Sequence, residues 1–500
     1  MNIALLLDMA AQGAGDRLAL RWDGGSLTYA ALHDRARRAA AWFLGQPGDK
    51  VVYLGPNLPA FPVALFGAAN AAKPFVPVNY RLKDEDLRRI LARTAPSVLV
   101  VDDAEFHRVR DIDGVVPVTV SAFMAALDGT EPIQEMVDGE DDIAVLLFTS
   151  GTTGEPKAAI LRHRNLSGYV ISTVDFMGAE EGETGLVSVP PYHIAGVSAV
   201  LTATYGGRAI AQLAAFDPTD WIALARAAGV THAMVVPTML KRIIEVLEAD
   251  GGGLPDLRLM SYGGGRMPVS VIEKAMAQLP HVDFVNAYGL TETSSTISVL
   301  GPEDHREAMA SADPGVRRRL ESVGRPLPAL ELDIRDEAGS PVRQGEPGEI
   351  WVRGEQVSGE YVGKRTVRDD GWFPTNDAGW MDTDGFLYVQ GRLDDVIVRG
   401  GENIAPGEIE EVLRAHPQVA DAAVFGAPDE EWGEKVVAVL VPRGAPSPDA
   451  SSIGELQGWV RERLRSTKVP QEIRFADHLP YNETGKLMRR QLKADFLAAS

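Results

Sequence analysis

The chain has 500 residues, 45% of them hydrophobic, with a mean hydropathy of −0.07, which is enough for several domains and a large core in an ordinary water-exposed protein. A formal net charge of −21 argues against nucleic acid or an anionic membrane as the main partner. The absence of cysteine excludes thiol nucleophiles, thiolate metal sites and disulfides.

The opening MNIALLLDMAAQ has a short apolar run with no preceding positive charge and no cleavage-like end, so no secretory signal is expected and the protein reads as cytoplasmic. Up to about residue 140, helical and strand patterns alternate, the signature of an α/β architecture. The pattern predicts an Arg-rich amphipathic helix over 30–44, a strand over 51–54, a mostly apolar helix over 62–72 and a buried strand over 98–101.

Ile143 to Phe148 is an apolar run that predicts a buried strand. Thr149, Ser150, Gly151, Thr152, Thr153 and Gly154 then give six hydroxyl-bearing or glycine positions in a row, followed by Pro156 and Lys157. Such a loop can turn its N–H groups and hydroxyls around phosphate oxygens, with Lys157 adding a mobile charge. It is not a P-loop: Gly151 and Gly154 are too close, Lys157 is displaced, and 158–161 reads as strand where a helix is required.

Arg164-Asn165 is expected to open a helix with Asn165 as its cap. Ser188 to Gly196, SVPPYHIAG, places Tyr192 and His193 between prolines and apolar segments, as a pocket wall would, and 187–205 reads as buried loop and helix rather than a membrane span. No histidine pair has the H-E-x-x-H spacing of catalytic zinc. A strand over 233–237 and a helix over 238–247 lead to a strand over 257–262 that runs into Gly263, Gly264 and Gly265, where a flat ligand could lie against backbone. Residues 324–326 and 348–354 read as strands and turns of a β-rich subdomain, and Pro406 opens a helix to 415.

TSGTTGEPK resembles the phosphate-binding signature of the adenylate-forming (ANL) superfamily, which holds acyl-CoA synthetases, luciferases and peptide-synthetase adenylation domains. Asn286-Ala287-Tyr288-Gly289-Leu290-Thr291-Glu292-Thr293 is similar to a second superfamily motif. The resemblance implies that Tyr288 stacks on adenine and Asn286 pairs with its edge, with Ala287, Gly289 and Gly263 to Gly265 beside them. It implies that Thr291 donates to the α-phosphate and that Glu292 binds Mg²⁺ through a hard oxygen. In Trp372 to Arg392, Asp377 and Arg392 match the ribose-binding carboxylate and arginine, and the usual T-G-D reads Thr375-Asn376-Asp377. Arg266 stands where relatives usually carry proline, and is a potential partner for a second substrate carboxylate.

The same resemblance makes Asp394 the hinge between an N-terminal AMP-binding domain, 1–393, and a mobile C-terminal domain, 394–500. Gly400, Gly401 and Glu402 would pass the pantetheine arm of CoA, with Trp432 nearby, and Lys486 would bring carboxylate and α-phosphate together. His193 would lie beside the acyl carboxylate, in a pocket with Tyr192, Val197, Met234 and Gly265. The implied fold is α/β: a large N-terminal domain of two α/β sheets plus a β-rich subdomain, with a small mobile α+β C-terminal domain.

The implied activity is that of an acyl-CoA synthetase using ATP, Mg²⁺ and coenzyme A on a small-molecule carboxylic acid. Anionic substrates on so acidic a chain require basic groups concentrated locally. Transfer to a carrier-protein pantetheine or to an amine would use the same motifs, a silent nucleotide-binding regulator would not need Lys157, Glu292 and Lys486, and a homodimer is compatible with all of these. An α/β-hydrolase is excluded because no G-x-S-x-G elbow is present.

Overall fold

The computed structural model describes residues 1–136, 143–149, 156–399, 402–444, 450–481 and 487–498. Its described strands form four sheets. One runs in the order Lys364–Arg365, Glu360–Tyr361, Lys157–Arg162, Ile143–Thr149, Phe75–Val78, Lys50–Leu54, Ser97–Val101, Val115–Thr119. Its last five strands are parallel, and their continuous Val/Leu/Phe runs fit burial on both faces.

The second sheet runs Arg325–Pro326, Ser295–Leu300, Asp283–Leu290, Leu259–Gly263, His232–Val235, Thr184–Val187, Ala209–Gln212, Leu18–Trp22, Gly25–Thr28. Between these two sheets lie helices Tyr29–Leu44, Ala60–Asn70 and Ile194–Gly206, sharing one core cluster with Val51, Tyr53 and Phe75 of the first sheet and Leu20, Val187 and Ile210 of the second. Every residue of Ala60–Asn70 is buried, which explains why its sequence is apolar all round.

A third, antiparallel sheet joins Glu331–Arg335, Gly348–Arg353, Phe373–Met381 and Leu387–Arg392. The fourth is built from residues beyond Asp395, with Ile397–Arg399, Glu402–Ile404, Val419–Asp429, Gly433–Pro442 and Glu472–Phe475 carrying helix Pro406–Arg414 over their own core. The α/β class, the two large sheets, the β-rich subdomain and the small α+β end all agree with the expectation.

Three local expectations change. Arg325–Pro326 adds to the edge of the second sheet, pairing with Ser298 and Val299, instead of joining the β-rich subdomain. The helix expected from Asn165 starts at His163, and Asn165 sits inside its first turn, where Oδ1 accepts the Arg162 N–H at 3.1 Å. The apolar helix is Ala60–Asn70, two residues earlier than its periodicity indicated, because Pro62 fits within a first turn.

Candidate active site

The loop ends are fixed by a hairpin. Ile143–Thr149 pairs antiparallel with Lys157–Arg162, Thr149 stands opposite Lys157, and Thr149 Oγ1 donates to the Lys157 carbonyl at 3.4 Å. Arg93 Nη1 holds the Pro156 carbonyl at 2.7 Å. Ser150, Gly151, Thr152, Thr153 and Gly154 lie outside the described residues, as do Gly400, Gly401 and Lys486.

Strand Asp283–Leu290 delivers Thr291 and Glu292 into a single tight turn, Thr291–Thr293. The Leu290 N–H donates to Thr293 Oγ1 at 3.0 Å, and Ser294, in the left-handed region at φ 56°, sends the chain back as Ser295–Leu300. Gly289 lies so close to that return strand that a Cβ would sit 1.7 Å from the Ser295 carbonyl oxygen, so a side chain is forbidden there. The Glu292 carbonyl accepts the N–H groups of Ser358 at 2.9 Å and Gly359 at 3.2 Å, while its carboxylate accepts the hydroxyl of Tyr361. Burial, and then the Glu292 charge, hold the Tyr361 hydroxyl far above its ordinary pKa, so it remains a donor.

Asp377 and Arg392 face each other in register across Phe373–Met381 and Leu387–Arg392, with Nε 2.8 Å from Oδ1. Tyr288 donates its hydroxyl to the other Asp377 oxygen. Burial would lower the Arg392 pKa, but Asp377 first, then Tyr288, Glu292 and Tyr361, outweigh it and raise it. Tyr288, Glu292, Tyr361, Asp377 and Arg392 therefore form one polar network that draws on all three sheets of the first 392 residues. Sequence reasoning does not reach Tyr361: a single tyrosine outside any motif carries no spacing signal.

Of the adenine candidates, Gly263 packs against the neighbouring strand, where a Cβ would come within 2.3 Å of the Ala287 carbonyl oxygen. Gly264 has φ +78°, and a Cβ on Gly265 would meet only the ring of Pro237. Asn286 is buried, and its Nδ2 is committed to the Ser322 carbonyl at 3.0 Å, which leaves Oδ1 as the atom able to accept from an adenine amino group.

The rings of Tyr192 and His193 meet tilted at 48°, 4.8 Å between centroids, and Tyr80 meets Tyr192 edge-on at 5.9 Å. Tyr80 also lines a cavity of about 150 Å³ with Asn57, Ser188, Pro190, Phe216 and Met239. Burial pulls the His193 pKa down to about 4, so the ring is neutral at pH 7. Met234 is half-buried on His232–Val235, whereas Val197 is sealed in the core between the sheets with no exposed surface.

At the candidate hinge, Asp394 Oδ2 accepts the side-chain amide of Asn376 at 3.0 Å. Glu402 starts a short strand paired with Ile397–Arg399, and exposed Trp432 lies under the Arg399 guanidinium, 5.2 Å from its ring centroid. Arg266 is not held open for a substrate carboxylate. It forms an ion pair with Glu411 of helix Pro406–Arg414.

Against this geometry, sequence models described as AMP-binding enzyme and AMP-binding enzyme C-terminal domain match residues 7–362 and 408–486. The chain belongs to the AMP-binding enzyme family. This AMP-binding enzyme is similar to a feruloyl-CoA synthase of Amycolatopsis sp., 35% identical over 96% of both chains. It is also similar to a fatty acid–[acyl-carrier-protein] ligase of Streptomyces coeruleorubidus, 33% identical over 95% of this chain and 92% of the other. Solved structures of o-succinylbenzoate CoA synthetase from Bacillus subtilis, one with the acyl-adenylate OSB-AMP and one with ATP and magnesium ion, align with TM-score 0.84 and 30% identity. They cover 98% of this chain and 97% and 99% of their own.

The AMP-binding enzyme is an ATP-dependent, AMP-forming acyl-CoA synthetase using ATP, Mg²⁺ and CoA. No cluster of three or more His, Asp or Glu side chains able to hold a metal exists among the described residues. Among the described residues no helix is long and apolar enough to cross a membrane.

Proposed function

We propose that the network around Glu292 and Asp377 is the adenylation centre, and that the two half-reactions divide among the residues as follows. Asp377 and Arg392 take the ribose hydroxyls, with Tyr288 and Asn286 at the base. Lys157, Thr291 and the loop from Thr149 to Gly154 hold the phosphates. Glu292, oriented by Tyr361, would hold Mg²⁺, which supplies charge neutralisation when bound.

The substrate carboxylate attacks the α-phosphorus. Its new O–P bond forms as the bond to the pyrophosphate oxygen breaks, and the leaving pyrophosphate takes that bonding pair. Joining two anions costs mainly electrostatic repulsion, so positioned cations, Lys157 and Lys486, lower the barrier without an enzyme nucleophile. Neutral His193 and Tyr192 border the acyl group with no charge of their own, which favours an acid with an uncharged, aromatic or apolar body.

In the second half-reaction the CoA thiol attacks the acyl carbon and AMP departs. Gly400, Gly401, Glu402 and Trp432 border the thiol's path after the C-terminal domain, 394–500, turns about Asp394. The enzyme works in the cytoplasm, where ATP and CoA are available. The observation that carries this reading is the convergence of Glu292, Asp377, Arg392, Tyr288 and Tyr361 in one network.

The test is ATP–pyrophosphate exchange over a panel of aliphatic, aromatic and dicarboxylic acids, followed by AMP release with and without CoA. Acid-dependent exchange with CoA-dependent AMP release is expected. Exchange by no acid would refute adenylation at this centre, and AMP release indifferent to CoA would favour a carrier-protein or amine acceptor.

A further inference from the structure

Strands Glu360–Tyr361 and Lys364–Arg365 form a hairpin on the open edge of the first sheet. With the end of Lys157–Arg162 and the start of helix His163–Thr173, the hairpin borders a groove of about 600 Å³. The groove is lined by Arg162, Arg164, Lys364 and Arg365, with Glu360 and Tyr361. Among the described residues that is four cations against one carboxylate, on a chain whose formal net charge is −21. The single carboxylate is already met by Arg162, with Nη2 2.8 Å from Glu360 Oε2.

Lys364 and Arg365 are exposed, and neither side chain has a hydrogen-bond or ion-pair partner among the described residues. Packing does not explain the hairpin either, because Val362 at its tip is 60% exposed. The first turn of His163–Thr173 adds the positive end of a helix dipole to the same wall. Lys364 and Arg365, set side by side next to two further arginines and a helix start, favour a multiply charged anion.

The position of the groove selects the anion. Tyr361 lines it, and the hydroxyl of Tyr361 holds the carboxylate of Glu292. One side chain therefore joins the groove wall to the residue assigned to the metal and phosphates. We propose that this groove is a second anion site, which receives pyrophosphate as it leaves the adenylation centre and rebinds it as an inhibitory product. The site rests on the adenylation reading only for the source of the pyrophosphate. The diphosphate of CoA carries the same chemistry, and the test separates the two.

Calorimetric titration of the intact protein with pyrophosphate in Mg²⁺ buffer is compared with the Lys364→Ala/Arg365→Ala variant, whose changes lie on an exposed turn. The wild type is expected to show two classes of site and the variant one, with inhibition of acyl-CoA formation by pyrophosphate weakened about tenfold, the scale for removing two exposed ionic contacts. The KM values for ATP and CoA are expected to stay within about twofold, since neither cation is assigned to those substrates. Identical titrations would overturn the proposal, as would a raised KM for CoA with pyrophosphate binding unchanged. Because the titration needs no turnover, it fails independently of the exchange assay that tests adenylation.

Discussion

Asn376 reaches Asp394 with its side-chain amide, Nδ2 to Oδ2 3.0 Å, from a backbone in the left-handed region at φ +61°. The T-G-D pattern of the resemblance would put glycine at this position, and asparagine is among the few other residues that hold such a φ at modest cost. The asparagine ties the candidate hinge to the strand that carries Asp377.

Two substitutions separate conformation from contact. Asn376→Ala forces a Cβ without a compensating amide into the left-handed region and should destabilise by about 1 kcal/mol in denaturant unfolding. Asn376→Gly keeps the backbone but removes the bond to Asp394. Its stability should be near wild type, while the ratio of adenylation rate to thiolysis rate shifts. An unchanged ratio in the glycine variant would show that the contact does not influence domain rotation.

Tyr361 and Glu292 give a second prediction. Tyr361→Phe preserves the ring and deletes the donor that orients the carboxylate. Adenylate formation should fall by roughly 10-fold, with a raised requirement for Mg²⁺, whereas Glu292→Gln should cost at least about 10²-fold, the scale for a transition-state electrostatic contact. Single-turnover formation of acyl-AMP at several Mg²⁺ concentrations measures both. Equal Mg²⁺ profiles for wild type and Tyr361→Phe would remove Tyr361 from the site.

This pair marks the limit of what the sequence could reveal. Asp377 and Arg392 were legible because a hairpin brings them into register, so a local motif contains both. Thr149 and Lys157 were legible for the same reason, as the two ends of one loop. Tyr361 lies 69 residues from Glu292, and it arrives only because Glu360–Tyr361 pairs with Ala159 and Ile160 on a sheet edge that no local pattern announces. Arg266 was misread similarly: nothing near it in sequence foretells Glu411, 145 residues away. Val197 had the right neighbours in sequence, but helix periodicity turns it into the core.

His193 supplies a pH test. Its folded pKa of about 4 lies below the ordinary 6.5, so between those values the unfolded chain binds more protons than the folded one. The stability it contributes is fully present above about pH 6.5 and is lost as pH falls toward 4, on the order of 2 kcal/mol. His232 is also lowered to about 4, chiefly by burial, and titrates over the same window. The readout is therefore the difference between wild type and His193→Gln in unfolding free energy from pH 7 to 4.5, and the variant should lose less. In the same reading the KM for the acid is flat from pH 6 to 8. A step in that window which disappears in His193→Gln would show a charged imidazole at the carboxylate.

The pair between Arg266 and Glu411 spans the two parts of the chain, from the loop after Gly265 to helix Pro406–Arg414, and both side chains are about 40% exposed. Gly407 lies close beneath it: a Cβ there would come within 2.9 Å of Arg266 Nη1. Solvent screening limits an exposed ion pair to about 0.2–1 kcal/mol, or up to about fivefold in a conformational equilibrium. A contact made in only one orientation of the C-terminal domain biases that orientation by this amount. Arg266→Glu should therefore accelerate whichever half-reaction uses the other orientation and slow its counterpart, by about fivefold for the lost attraction and up to a similar factor again for the new repulsion. The double variant Arg266→Glu/Glu411→Arg restores the attraction with reversed sign and should return both rates toward wild type. If the single change slowed both half-reactions equally and the swap rescued neither, Arg266 would be acting on the substrate pocket itself rather than through the domain contact.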